Sequence, residues 1–295
     1  MAIVEKRSTA SKCFDIFNVV LLGLLTLLTL YPMYYILVCS VSDYTMLNAQ
    51  EGLVLFPVHF NLTAYKAVFR DPMILPSYGN TLLYVSVGTT LQMLMTINGA
   101  YILSRRGSFI LAKPLNLMIV VTMFFTGGLI PTYMVVRDLS LLDSMWALIL
   151  PYAINTWNLI LMRNSFEAVP EALLESAKID GANDFQTLMR IVLPVSLPIL
   201  AVICLYYLVE NWNAWFPASI YLQNRERYPL QLILREILIV SVMDTSDAGS
   251  YGEVSDLQEI IKYAAIVVAT APVLCVYPFL QKYFVKGVMV GAVKG

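Results

Sequence analysis

Histidine is almost absent. The 295 residues hold one, His59, and a single imidazole excludes a histidine-rich metal site. Cysteine is sparse too. None of Cys13, Cys39, Cys204 and Cys275 stands in a C-x-x-C spacing, so packed or idle thiols are expected in place of a disulfide framework. No G-x-x-x-x-G-K-[ST] and no G-x-G-x-x-G occurs, which leaves the chain without a recognisable nucleotide-binding loop. A net charge of −1 gives a polyanion nothing to bind, and no nucleic-acid role is expected. Charge itself is scarce. Asp, Glu, Lys and Arg make up 13% of the chain, against about a quarter in a soluble domain. No strong internal repeat and no low-complexity tract is present.

What fills the space is apolar. Hydrophobic residues are 59% of the chain and the mean hydropathy is +0.71, a composition suited to lipid as solvent. Six apolar segments approach the roughly 20 residues that span a bilayer as helix. They lie near 14–38, 79–103, 115–136, 145–162, 195–217 and 263–281. Lipid satisfies no backbone donor or acceptor, and no segment alternates like a membrane barrel, so helices must carry the spans. The expected fold is all-α and polytopic, with six transmembrane helices. Residues 1–13 form a cytoplasmic N-terminus, 14–281 the six-helix transmembrane domain, and 282–295 a cytoplasmic tail. The first span follows Lys6, Arg7 and Lys12 and has no small-residue cleavage site after it, which reads as a retained signal anchor.

Orientation follows from the basic residues. With the N-terminus inside, the inner segments hold 12 of the 19 Lys and Arg, and the longer outer segments hold seven. The positive-inside rule then puts both termini and the 163–194 loop in the cytoplasm. The 39–78 and 218–262 loops face outward, with Pro57, Pro72, Pro76 and Pro229 as helix breakers.

The 163–194 loop is the most distinctive stretch. Pro170 suits a first helical turn and Glu171 favours its positive end. Gly181 suits the left-handed residue that closes it. A helix over 170–180 is predicted, about 11 residues and roughly 16 Å long. Leu173, Leu174 and Ala177 cluster on one side, with Glu171, Glu175 and Lys178 elsewhere. Asn183 or Asp184 can cap a second helix running towards Pro194. Such an element fits a partner's groove. It is also compatible with a helix resting on lipid headgroups, but those are usually basic, and Glu167 to Asp184 carries five acidic residues and one lysine.

Glu210 is the one carboxylate deep in an apolar run, where an ionisable group usually faces a cavity or a partner. Tyr206, Glu210 and Asn213 fall at i, i+4 and i+7, one face of one helix, with Trp212 and Trp215 nearby. Asn155 and Asn158 sit at i and i+3 in the fourth span, close to Tyr152 and Trp157. Carboxylates and amides satisfy sugar hydroxyls, and aromatic faces stack on pyranose rings. Helix packing is the other use of these residue types: amides bond between helices and Trp and Tyr populate the interface belt. Pro151, Pro198 and Pro272 read as kinks.

The order Glu175-Ser-Ala-Lys-Ile-Asp-Gly181-Ala182, then Ile191-Val-Leu193-Pro194, resembles the EAA loop of bacterial ABC importer permeases. Met123–Tyr133, Leu141–Pro151, Asn155–Asn158, Asn211–Trp215 and Gln281–Met289 extend the resemblance over essentially the whole chain. It points to the MetI-like class, and within it to the oligosaccharide and polysaccharide permeases, on the side of the maltose importer's second permease subunit. Ser176 departs from the usual alanine and is small enough to keep the contact surface.

The resemblance implies a membrane complex without catalytic residues, cofactor or metal in this chain. A second homologous permease completes the channel, and two ATPase subunits bind ATP and magnesium. An extracytoplasmic solute-binding protein delivers an oligosaccharide, and the complex sits in the bacterial inner membrane. Glu171, Leu174, Glu175, Ala177, Asp180, Gly181 and Ala182 would couple to the ATPase. Asn155, Asn158, Tyr206, Glu210, Trp212 and Asn213 would line the substrate path. A permease for a non-sugar solute and an intramembrane glycosyl-transferring enzyme are the alternatives. The second would need an acidic pair or a His/Ser constellation near one bilayer face, and Glu210 stands alone while His59 lies in an outer loop.

Overall fold

A computed structural model of the chain describes residues 9–43, 46, 47, 49, 52–105, 111–244, 260–275 and 278. Among them every regular element is helical. The chain divides into two units, one from Met1–Asp71 and Ile237–Val268, the other from Pro72–Glu236 and Ala269–Gly295.

In the first unit, α1 (Thr9–Ser40) runs 32 residues and contains the expected 14–38 span. Its Phe, Val and Leu side chains are exposed along most of its length, as suits a lipid-facing or partner-facing helix. Its end is anchored where Val38 and Cys39 pack with Leu47 and Val54. Ser42 ties this corner, donating to Val38 O at 2.6 Å and accepting from the Val58 N–H at 3.1 Å. The short helix α2 (Thr63–Arg70) buries Ala64 and Val68.

The second unit is built around α3 (Ile74–Ser104), a continuous helix of 31 residues. It holds the expected 79–103 span, yet buries Thr81, Thr89, Gln92 and Thr96. It is a central post with polar side chains facing other helices. Around it come α4 (Ala112–Phe124), α5 (Leu129–Asp138), α6 (Met145–Ile149) and α7 (Thr156–Glu167). Then follow α8 (Glu171–Ile179), α9 (Asp184–Thr187), α10 (Leu197–Trp212), α11 (Trp215–Tyr221) and α12 (Leu230–Asp244), which runs on past Glu236 into the first unit's residues. The last described helix, α13, spans Ile260–Cys275. α3 packs most extensively on α7 and α10. Ala100, Tyr101 and Leu103 meet Leu159, Met162 and Phe166 from α7 and Ile203 and Tyr207 from α10. A Cβ at Gly99 would stand 3.1 Å from Leu159 Cδ1, so glycine is what lets α3 and α7 approach.

Three of the six expected spans are not straight helices. Among the described residues, by length and composition, one helix, Ser11–Ser40, can cross a membrane, or up to four spans if each bent pair counts as one. The 115–136 segment breaks between α4 and α5 at 115°. Gly128 at φ +84° makes that turn, a conformation that costs a side chain energy. The 145–162 segment bends by 50°, where Leu150–Tyr152 tightens into a 3₁₀ turn around Pro151 and Asn155 restarts the helix. The 195–217 segment leaves the preceding helix at 86° and stops at Trp212. Between α9 and α10 the backbone widens into a π-helix, Leu188–Val192, ahead of Pro194. Proline lacks the N–H that would bond four residues back and its ring crowds that carbonyl, so the wider turn accommodates it. Of the expected 263–281 span, residues up to 275 are helical in α13, and 276, 277 and 279–281 lie outside the described residues.

Candidate functional site

The 170–181 segment is a short helix closed at its C-terminal end. Its helix is Glu171–Ile179, nine residues, shorter than the predicted 170–180. Pro170 takes the N-cap place instead of the first turn, because its ψ of 130° is extended. Glu171 is the first helical residue and puts its carboxylate at the positive end. At the other end Asp180 is the C-cap and Gly181 adopts φ +76°. Gly181 N–H donates to Lys178 O at 3.1 Å and Ala182 N–H to Ala177 O at 2.9 Å. This pair of bonds is the Schellman closure. Two residues on, Asn183 opens the next helix. Its side chain accepts from Gln186 N–H at 2.8 Å, while Gln186 Oε1 accepts from Asn183 N–H at 3.1 Å. Asn183, not Asp184, is therefore the cap, and Asp184 is the first helical residue.

The helix faces divide differently from the expectation. Ala177 is buried and Leu174 packs half-buried on the core, but Leu173 turns out and is exposed. Ala182 is half-buried, while Glu171, Glu175, Asp180 and Gly181 are exposed. Leu174, Ala177 and Ala182 thus hold the loop to the body of the protein. Ile179, 85% exposed, and Phe185, 65% exposed, present apolar surface. The sequence signal for them is an apolar residue inside an acidic loop.

Behind the helix lies a cavity of about 640 Å³, lined among others by Tyr101, Arg105, Glu171, Leu174, Glu175, Lys178 and Asp184. The Arg105 guanidinium stacks on Tyr101 at 4.7 Å from the ring centroid. Its Nε and Nη2 are buried without a hydrogen-bond acceptor, and the stack offsets part of that cost.

The candidate path residues of the fourth and fifth spans come together. Asn155 caps α7, its side-chain oxygen accepting from Trp157 N–H at 3.0 Å and Asn158 N–H at 3.3 Å. The same side chain lies beside the Glu210 carboxylate of α10 and interacts with it. Tyr206, Glu210 and Asn213 are all exposed, as one shared helix face requires. Asn213 Nδ2 donates to Val209 O at 2.8 Å, closing the end of α10. Asn158, 3% exposed, and Trp212, 4% exposed, point into the protein instead. Trp212 Nε1 donates to Ala269 O at 3.0 Å.

Beneath this face runs a buried polar spine that sequence reading missed. Asn211 Nδ2 donates to Gln92 Oε1 at 2.8 Å and to Thr89 Oγ1 at 3.1 Å, and Gln92 Nε2 donates to Tyr152 O at 3.0 Å. Tyr207 OH lies 2.7 Å from Thr96 Oγ1 and accepts from the Asn155 N–H at 3.2 Å. A Cβ on Gly88 would stand 3.1 Å from Asn211 Nδ2, so that position stays bare for the amide. Polar residues of α3 recurring every three or four positions were the available signal.

On the side expected to face outward, Asp143 pins the loop after α11. Its Oδ1 accepts from Asn224 N–H at 2.9 Å and Gln223 N–H at 3.1 Å, and its Oδ2 pairs with Arg227 at 3.0 Å. The Asn224 N–H first, then the Gln223 N–H and the Arg227 charge, hold the carboxyl below the usual carboxylate range against the opposing effect of burial.

The family described as "Binding-protein-dependent transport system inner membrane component" matches residues 1–290. The chain belongs to this family. It is a membrane transport permease and not an enzyme, and it works with the other parts of an ABC importer. Protein LplC of Bacillus subtilis is 42% identical over 97% of this chain and 96% of its own. The polygalacturonan/rhamnogalacturonan transport system permease protein YtcP of the same organism is 41% identical over 97% and 99%. A crystal structure of a bacterial ABC transporter involved in the import of the acidic polysaccharide alginate contains a chain 34% identical to this one. It superposes with a TM-score of 0.81 over 94% of this chain and 99% of that one. The MetI-like resemblance of the loop and the helical fold are thereby borne out. The six spans are not all established.

Proposed function

We propose that this permease carries an oligosaccharide or polysaccharide fragment inward, driven by a separate ATPase that docks on the 170–194 loop. The observation that carries the reading is the loop itself. A helix fixed by a Schellman closure, followed at once by a capping box, is rigid, acidic and bears exposed Leu173, Ile179 and Phe185. Only an element with different contacts in two states can shift their equilibrium, and a stiff helix seated in a partner's groove transmits such a shift. The ATP and magnesium belong to two ATPase subunits, and a second homologous permease completes the channel. A solute-binding protein delivers the sugar from outside. Both termini and the loop face the cytoplasm.

The sugar path runs over Tyr206, Glu210 and Asn213, with Asn155 beside the carboxylate. A charge at that depth is costly unless it faces a cavity or a partner, and the Glu210 carboxylate is exposed beside Asn155, placed to meet one. Asn158 and Trp212 act from inside, holding α7 and α10 in place. The imports named for YtcP and for the alginate transporter are polysaccharides, which supports a sugar cargo here.

The test is reconstitution of this chain with a second permease, two ATPases and a binding protein in sealed vesicles. ATP-dependent accumulation of oligosaccharide is expected. Uptake that proceeds without ATP, or failure of the chain to co-purify with any ATPase, refutes the reading. Labelling of a cysteine placed at position 180 from outside intact cells refutes the orientation.

A further inference from the structure

We propose that Arg235, stacked on Trp215 beyond the end of α10, is a subsite for a sugar carboxylate, so that the cargo is an acidic, uronate-containing oligosaccharide. This deepens the reading above and rests on it.

The Arg235 guanidinium carbon lies 3.4 Å from the centroid of the Trp215 ring, in face contact. Trp215 is itself braced edge-on by Phe216, with centroids 5.4 Å apart and planes at 76°. Stacking consumes the face of a guanidinium and leaves its in-plane N–H donors free. Those donors form a fork that matches a planar carboxylate with two parallel bonds. The side chain is exposed, so the fork is open to a solute.

The neighbouring charges sharpen the point. Arg137 pairs with Asp138 at 2.9 Å, Arg225 with Glu236 at 3.0 Å and Arg227 with Asp143 at 3.0 Å. Among the described residues of this unit, Arg235 is the outer arginine for which no carboxylate is in place. Glu236, next in sequence, is already engaged by Arg225. Three arginines are held by their own acids, and one is held by an aromatic plane with its fork unfilled. A neutral sugar gains little from such a group, because hydroxyls do not present the two parallel acceptors of a carboxylate.

Trp215 stands two residues after Asn213, across Ala214, so the stacked pair continues the path residues beyond the end of α10. Glu210 does not oppose an acidic cargo. Each uronate carries ring hydroxyls beside its carboxylate, and Glu210, exposed on the face it shares with Tyr206, is an acceptor for those hydroxyls. Two names agree with this division. Polygalacturonan is a polyuronate, and alginate is an acidic polysaccharide.

A lipid phosphate offers similar chemistry, so the experiment must separate the two. The complete importer is reconstituted in phosphatidylcholine vesicles, and initial uptake is measured for trigalacturonate and for its fully methyl-esterified, uncharged form. Arg235→Gln is expected to lower the acid-to-ester uptake ratio at least tenfold. Arg235→Lys keeps the charge but not the fork, and should lower it less. Trp215→Ala removes the platform and should fall between wild type and Arg235→Gln. Co-purification of all subunits reports assembly of each variant. A ratio unchanged within twofold in Arg235→Gln overturns the proposal. So does a defect that appears only when phosphatidylglycerol is added, which assigns Arg235 to a headgroup. A wild-type complex that imports maltodextrin but not trigalacturonate overturns the carboxylate subsite and leaves the permease reading standing. One that hydrolyses ATP yet imports no oligosaccharide overturns both.

Discussion

Gly181 offers the sharpest test of the coupling loop, because its backbone and its surroundings separate two kinds of damage. Its φ is +76°, and no heavy atom lies within 4 Å of where a Cβ would sit. Alanine there meets no clash and bears only the left-handed backbone cost, roughly 1–2 kcal/mol. That is about a five- to thirtyfold shift in the population of the native turn. Asparagine tolerates this conformation and should cost less. Proline is another matter. Its ring holds φ near −65°, so the turn must rotate, and the N–H that donates to Lys178 O at 3.1 Å is gone. The bond from Ala182 N–H to Ala177 O, 2.9 Å, then loses its register too. ATP-driven uptake per assembled complex should therefore fall in the order Gly, Asn, Ala, Pro. Coupling should stay measurable in Gly181→Ala and be abolished in Gly181→Pro. Subunit co-purification and vesicle uptake measure the two quantities separately. Parental uptake in an assembled Gly181→Pro complex refutes the coupling assignment. Alanine as harmful as proline refutes the argument from backbone conformation.

Three further outcomes follow from the same structure. Asn211→Leu keeps the side-chain size but leaves Gln92 Oε1 and Thr89 Oγ1 without their donor; a stability loss of about 1 kcal/mol is expected, seen as a lower unfolding temperature in detergent, and no change would discard the spine as a stabilising device. Asp143 is held below the ordinary carboxylate range, so its contribution is present above that range and is lost as pH falls through the lowered pKa. Asp143→Asn should therefore lower stability at neutral pH and flatten the acid-side decline, and thermal scans against pH that overlay the wild type contradict the pin. Glu210→Gln should lower uptake in assembled complexes if the carboxylate receives sugar hydroxyls. Loss of assembly instead means that it pairs with a cation of the second permease.

Much of this protein was determined by the sequence alone, where the cause is local. Gly181, Asn183 and Glu171 announced a helix, its closure and its successor, because capping depends on a few consecutive residues. The spacing of Tyr206, Glu210 and Asn213 put them on one face, since a helix repeats every 3.6 residues. The apolar runs gave the membrane class, because lipid admits few charges.

Only the tertiary structure decided the rest. Whether an apolar run is straight depends on what it packs against. Gly128 and the turn around Pro151 bend their runs, whereas Pro32 sits inside the unbroken α1. The 79–103 run reads as a plain apolar span and α3 is the central post, because its threonines and Gln92 find partners as much as 149 residues away in sequence. The inward turn of Asn158 and Trp212, the outward turn of Leu173 and the stack of Arg235 on Trp215 have the same origin. Each depends on where one helix lies against another, and periodicity along a single helix carries no information about its neighbours.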